Sequence, residues 1–215
     1  MKIMVVAATE LELQCTLDIK HLASITLMKE LHGIGQVPTT YHVTQLIDKH
    51  QPDIMIQIGI GGGFAFDQIL GEAVAVETEY FADLGVEEKG KFHSIFDMKL
   101  ADQNAFPFNE KKLSNPHRNL LEKVKLKTVS AITVNQITTS KNQIEYYQEA
   151  YCPFIESMEG AAFHYCCLMK KIPFLQIRAV SNHVGERDKS KWEIEKSIQS
   201  LKNSLNIFLK NIKIS

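Results

Sequence analysis

The sequence predicts an α/β fold, with three layers, α/β/α, around a central mixed, mostly parallel sheet. Short continuous apolar runs recur along the chain, as expected of strands buried on both faces. Segments with helical spacing lie between them, so the order β-α-β repeats and implies parallel neighbours. The glycines and polar side chains cluster just after the apolar runs, which is where open α/β sheets hold ligands.

The first apolar run is residues 3–8, followed by Thr9-Glu10-Leu11-Glu12. Residues 39–49 have helical spacing and stop before Pro52. The run 54–58 ends in Gly59-Ile60-Gly61-Gly62-Gly63, which reads as a glycine loop. A third strand is predicted at 73–77, and a helix at 115–125 with Asn115 as N-cap and Pro116 at the first helical position. Strands at 129–134, 154–158 and 174–180 alternate with helices at 141–150 and 160–171, the latter stopped before Pro173. A final amphipathic helix at 190–211 carries Ile194, Ile198, Leu201, Leu205 and Phe208 on one stripe. The stretch 80–114 is too long for an idle connection and reads as a hairpin or an active-site lid.

With 215 residues, 45% hydrophobic, the chain can bury one core, and a single domain over 1–215 is expected. The net charge of −1 gives no electrostatic case for nucleic acid or an anionic membrane. The expected partners are small molecules and copies of the chain itself. Cys15, Cys152, Cys166 and Cys167 have neither zinc nor redox spacing, and the eight histidines are scattered, so no metal or cofactor is expected. The start lacks the pattern of a secretory leader and no run approaches the ~18 apolar residues of a membrane span. Reduced thiols in a cytoplasm are therefore expected. The glycine segment matches neither a phosphate-binding P-loop nor a dinucleotide fingerprint.

On a parallel sheet, Glu10 and Glu12, the glycine segment, Glu156 and Glu159, and Ser181-Asn182 all fall at one rim. Each also has a purely structural reading. Glu10, Glu12 and Glu159 suit first helical turns, and Asn182 suits a turn. The combination is more specific. The first twelve residues, Gly33-Ile34-Gly35-Gln36-Val37, Pro52-Asp53 with Gly59 to Gly63, Glu156-Ser157-Met158-Glu159-Gly160, and Arg178-Ala179-Val180-Ser181-Asn182 are collinear. Together they resemble the nucleoside phosphorylase superfamily, and within it the MTA/SAH nucleosidases. Residues 81–92, 156–167 and 172–182 most resemble the futalosine hydrolase family.

The resemblance implies a nucleoside phosphorylase-like fold, a purine nucleoside substrate and a homo-oligomer, a dimer or higher. It implies catalytic roles for Glu12, Glu159 and Asn182, with Glu10 the weaker alternative to Glu12. It also implies substrate contacts from Gly61, Gly62, Gln136, Ile137, Glu156, Met158, Arg178 and Ser181. The family's Asp is Asn182 here, and an amide donates where a 6-oxopurine such as hypoxanthine only accepts. The segment between the first strand and Gly33 is shorter than in MTA/SAH nucleosidases. The chain has only three arginines, Arg118, Arg178 and Arg187, so water is a better nucleophile than phosphate. Futalosine carries a carboxylate on its 5′ side; Arg187, His183 or a residue of 80–114 could meet it. The alternatives are an MTA/SAH or aminofutalosine nucleosidase, a nucleoside phosphorylase, and a binding module without turnover.

Overall fold

The structure, a computed structural model, describes residues 1–16 and 24–212. The elements run β1 (Lys2–Ala7), α1 (Glu10–Leu13), β2 (Thr26–Leu31), α2 (Gln36–His50), β3 (Ile54–Gly63) and β4 (Ala73–Phe81). Then follow β5 (Gly85–Glu88), β6 (Lys91–Ser94), β7 (Leu113–Ser114), α3 (Arg118–Val124), β8 (Thr128–Thr133) and α4 (Lys141–Tyr151). The chain continues through β9 (Ile155–Ser157), α5 (Gly160–Lys170), β10 (Phe174–His183) and α6 (Ile194–Asn211).

The sheet is mixed and mostly parallel, as predicted. It has eight strands in the order β10-β4-β8-β9-β3-β1-β2, with β7 on β4. Strand β10 also pairs with β3, so β3, β9, β8, β4 and β10 close into a ring. β1 shows how the layers form. Ile3, Val5 and Ala7 pack with α3 and α6 on one side, while Met4 and Val6 pack with α2 and α5 on the other. This is the two-residue period of a strand with both faces covered. Among the described residues, no helix is long and apolar enough to cross a membrane.

Three local expectations need correction. The glycine segment is not a loop: residues 59–63 are the last half of β3. Its glycines serve close approach rather than a turn. A Cβ on Gly61 would lie 2.5 Å from the Glu156 carbonyl oxygen, and one on Gly59 would overlap the Arg178 guanidinium. Asn115 does not cap α3. Its amide donates to the Phe174 carbonyl at 2.8 Å and its oxygen accepts from the His117 N–H at 2.9 Å, so it ties the helix entry to the sheet and α3 begins at Arg118. Asn182 does not sit in a turn, because β10 runs on to His183.

The stretch 80–114 contains a hairpin, β5–β6, joined at Lys89-Gly90, both with positive φ of 54° and 76°, as a type I′ turn requires. The shortened segment before Gly33 includes residues 17–23, which lie outside the described residues.

Candidate active site

One cavity of about 450 Å³ opens at the carboxyl end of β1, β3 and β10, within the roughly 300–1,000 Å³ usual for small-molecule sites. It brings together Glu12, Gly61, Gly62, Ile137, Glu156, Met158, Glu159, Ser181 and Asn182 from the predicted set. Three candidates fall elsewhere. Glu10 is exposed and off the wall, because α1 turns it away from Glu12. Gln136 is also exposed, and its backbone N–H is spent on the Asp83 carboxylate at 3.4 Å. Arg178 is 1% exposed and lies behind the wall. It serves Glu159 rather than the cavity.

Glu12 is held by a capping box at the start of α1. One oxygen accepts from the Thr9 N–H at 3.1 Å and the Thr9 hydroxyl at 2.9 Å, and the other from the Ile60 N–H at 3.0 Å. A carboxylate offers about four acceptor positions, so the second oxygen keeps one free. One side chain thus both caps α1 and lines the cavity. The pattern Thr9-x-x-Glu12 was legible in the sequence.

Glu159 precedes α5 but makes no capping bond to it. Instead one oxygen accepts from the Gly35 N–H at 3.2 Å and the other from an Arg178 Nη at 3.4 Å. Gly35 has φ of +88°, a conformation that glycine adopts cheaply. Burial raises the Glu159 pKa above the usual carboxylate range, the Arg178 charge opposes that rise, and Glu12 adds to it. Glu156 is committed to Thr138, through the backbone N–H at 3.1 Å and the hydroxyl. Burial raises its pKa too, against those two hydrogen bonds.

Ser181 and Asn182 are consecutive on β10, where side chains normally alternate between faces. A register shift between Val180 and Asn182 places both on the cavity; such bulges re-aim side chains. The Asn182 oxygen accepts from the Ser181 hydroxyl at 2.7 Å, and its nitrogen donates to the His183 carbonyl at 2.9 Å. A backbone carbonyl only accepts, so this bond fixes the amide orientation and leaves the second N–H free. The exposed Arg187 and Lys189 also line the cavity, with Trp192, whereas His183 and residues 80–114 do not.

Behind the site lies a carboxylate that no local pattern singles out. Glu79 is fully buried and accepts from Gln176 at 2.9 Å and the Thr133 hydroxyl at 3.0 Å. Burial raises its pKa from 4.5 to about 7 against those bonds. Between these values the folded chain keeps a proton that the unfolded chain has lost. Its contribution to stability is therefore complete below the unfolded pKa and disappears as pH rises through about 7. Glu79→Gln cannot ionise. It is expected to flatten part of the fall in melting temperature between pH 5 and 8, as read by thermal denaturation; an unchanged slope would refute the assignment.

The phosphorylase superfamily model matches residues 26–212. Futalosine hydrolase from Thermus thermophilus is 27% identical over 180 residues, covering 82% of this chain and 78% of that protein. The 5'-methylthioadenosine/S-adenosylhomocysteine nucleosidase of Aeromonas salmonicida is 30% identical over 159 residues, covering 72% of this chain and 67% of that one. The native structure of Helicobacter pylori futalosine hydrolase has the same fold, with a TM-score of 0.80 at 17% identity over 97% of each chain. The chain belongs to the phosphorylase superfamily. It is an enzyme of the hydrolase class, as these relatives are.

Proposed function

We propose that this enzyme hydrolyses the N-glycosidic bond of a purine nucleoside, and that futalosine is its substrate. The products would be hypoxanthine and dehypoxanthine futalosine, in menaquinone biosynthesis. The observation that carries this reading is the pair Glu12 and Glu159, two buried carboxylates lining one cavity, each with acceptor positions to spare. Ribosyl C–N cleavage passes through an oxocarbenium-like transition state. Glu159 faces the ribose hydroxyls and stabilises the cation. Glu12 orients the attacking water and takes its proton. Met158 packs on the sugar. Charge grows on the departing purine, and the free Asn182 N–H donates to N7.

Water fits this site better than phosphate, which needs committed cations. Arg178 is engaged behind Glu159, Arg118 pairs with Glu77 at 3.4 Å, off the cavity, and the cations that do line it, Arg187 and Lys189, are exposed, with Arg187 over the Trp192 ring. The four free cysteines suit a reducing compartment. The exposed Ile34 on the cavity wall, with the exposed Val37 and Tyr41 on α2, suits an oligomer. The test is a panel of purine nucleosides followed by released base, with and without phosphate. Hypoxanthine from futalosine without phosphate is the expected result; no release, or strict phosphate dependence, sinks the reading.

A second reading, an adenine-releasing MTA/SAH nucleosidase, draws support from the 30% identical relative. A protonated Asp at that position would give its single proton to N7, accept from a 6-amino group with its other oxygen, and leave the His183 carbonyl, which now accepts from the Asn182 nitrogen at 2.9 Å, without that donor. Asn182→Asp is therefore expected to shift the ratio of kcat/KM toward adenine nucleosides by ~10-fold or more. An unmoved ratio would remove Asn182 from substrate choice.

A further inference from the structure

His32 and Gln57 take part in no step above, yet they are 1% and 0% exposed. The Thr39 hydroxyl donates its only hydrogen to the Gly35 carbonyl at 2.8 Å, so toward His32 Nδ1, 3.0 Å away, it can only accept. The Gly33 carbonyl, 2.8 Å from the same nitrogen, also only accepts. His32 Nδ1 therefore carries the proton, and Nε2 is the acceptor. Gln57 Nε2 donates to it at 3.1 Å, which turns the Gln57 oxygen toward Arg178 Nη2, also at 3.1 Å. Every neighbour thus constrains one tautomer and one amide orientation. Burial, with the Arg178 charge adding to it, lowers the His32 pKa to about 4 and keeps the ring neutral.

The bonds form a closed circuit. Arg178 Nη2 gives one hydrogen to Gln57 and the other to Glu159. The polarity runs on through His32, Thr39 and Gly35 and returns to the second Glu159 oxygen through the Gly35 N–H.

We propose that His32 is a positioning residue for Glu159: its neutral Nδ1–H imidazole, coupled through Gln57 to Arg178 and through Thr39 to the Gly35 loop, sets the two donors that grip opposite oxygens of that carboxylate. The proposal rests on the reading that Glu159 faces the ribose. His32 touches no substrate, so it acts on geometry, and small displacements of a reacting group cost rate steeply.

The test compares His32→Phe, which keeps the ring shape, with Thr39→Val and Thr39→Ser. His32→Phe and Thr39→Val are expected to lower kcat by about 10–10²-fold with KM within ~3-fold, while Thr39→Ser, which retains the hydroxyl, stays near wild type. An unchanged kcat in His32→Phe, or a loss confined to KM, overturns the proposal. Nitrogen-15 NMR of the histidine-labelled wild type gives a readout independent of turnover, with His32 assigned by its absence from the His32→Phe spectrum. The Nδ1–H neutral tautomer at pH 7 supports the circuit; Nε2–H or an imidazolium overturns it. The role of Glu159 itself is decided separately, by Glu159→Gln, so the two failures are distinguishable.

Discussion

Glu159→Gln is expected to lower kcat by about 10²–10³-fold, the scale of losing one charge-stabilising group in a preorganised site, while nucleoside binding changes little. Both present neighbours of the carboxylate, the Gly35 N–H and Arg178 Nη2, are donors. A Gln can satisfy one with its oxygen but turns its amide toward the other, so a stability cost of ~1–3 kcal/mol accompanies the loss of charge. Rate and stability are separated by measuring kcat, KM and the melting temperature on the same preparation. Because burial raises the Glu159 pKa and the ionised form is the active one, wild-type activity falls on the acid side at a pH above the ordinary glutamate value of about 4.3. That limb should be absent from whatever activity Glu159→Gln retains. A kcat within tenfold of wild type would take Glu159 out of the chemistry.

Glu12→Gln is expected to lower kcat by about 10²–10⁴-fold, the usual contribution of a general base. It differs from Glu159→Gln in its structural cost. Glu12 closes the capping box and accepts from the Ile60 N–H across to β3, and a Gln keeps only one acceptor oxygen for three donors. Caps of this kind contribute ~0.5–2 kcal/mol, so the melting temperature should fall by a few degrees. The decisive measurement is kcat well below the melting transition. Activity restored there by cooling alone would mean that Glu12 is only a cap.

Much of the site was legible because its residues are carried by local patterns. The acidic turn after β1 and the Ser181-Asn182 end of β10 lie at the carboxyl ends of strands parallel to β3, where such sheets hold ligands, whereas the Glu156-to-Gly160 stretch reaches the same cavity from β9, which runs antiparallel to β3. Local pattern failed where a long-range partner set the role. Arg178 was expected at the substrate, but its sequence neighbours give no sign that Glu159 and Gln57 would engage it behind the wall. Gln136 lies one residue from the cavity-lining Ile137, yet it is exposed and bonded to Asp83. Glu79, His32 and Gln57 are polar residues in or beside apolar strands, and each has a defining partner far along the chain: Gln176 for Glu79, Gln57 for His32 and Arg178 for Gln57, which are 97, 25 and 121 positions away.

The sequence by itself determined the alternation of strands and helices, the mostly parallel sheet and the order of the motifs that carry Glu12 and Glu159, because hydrophobic period and motif order are properties of neighbours along the chain. Only the tertiary structure decided that five strands close into a ring, that the glycine run is a strand, and that Ser181 and Asn182 share one cavity through a register shift. The physical reason is that closure, close approach and buried hydrogen bonds are satisfied between residues distant in sequence.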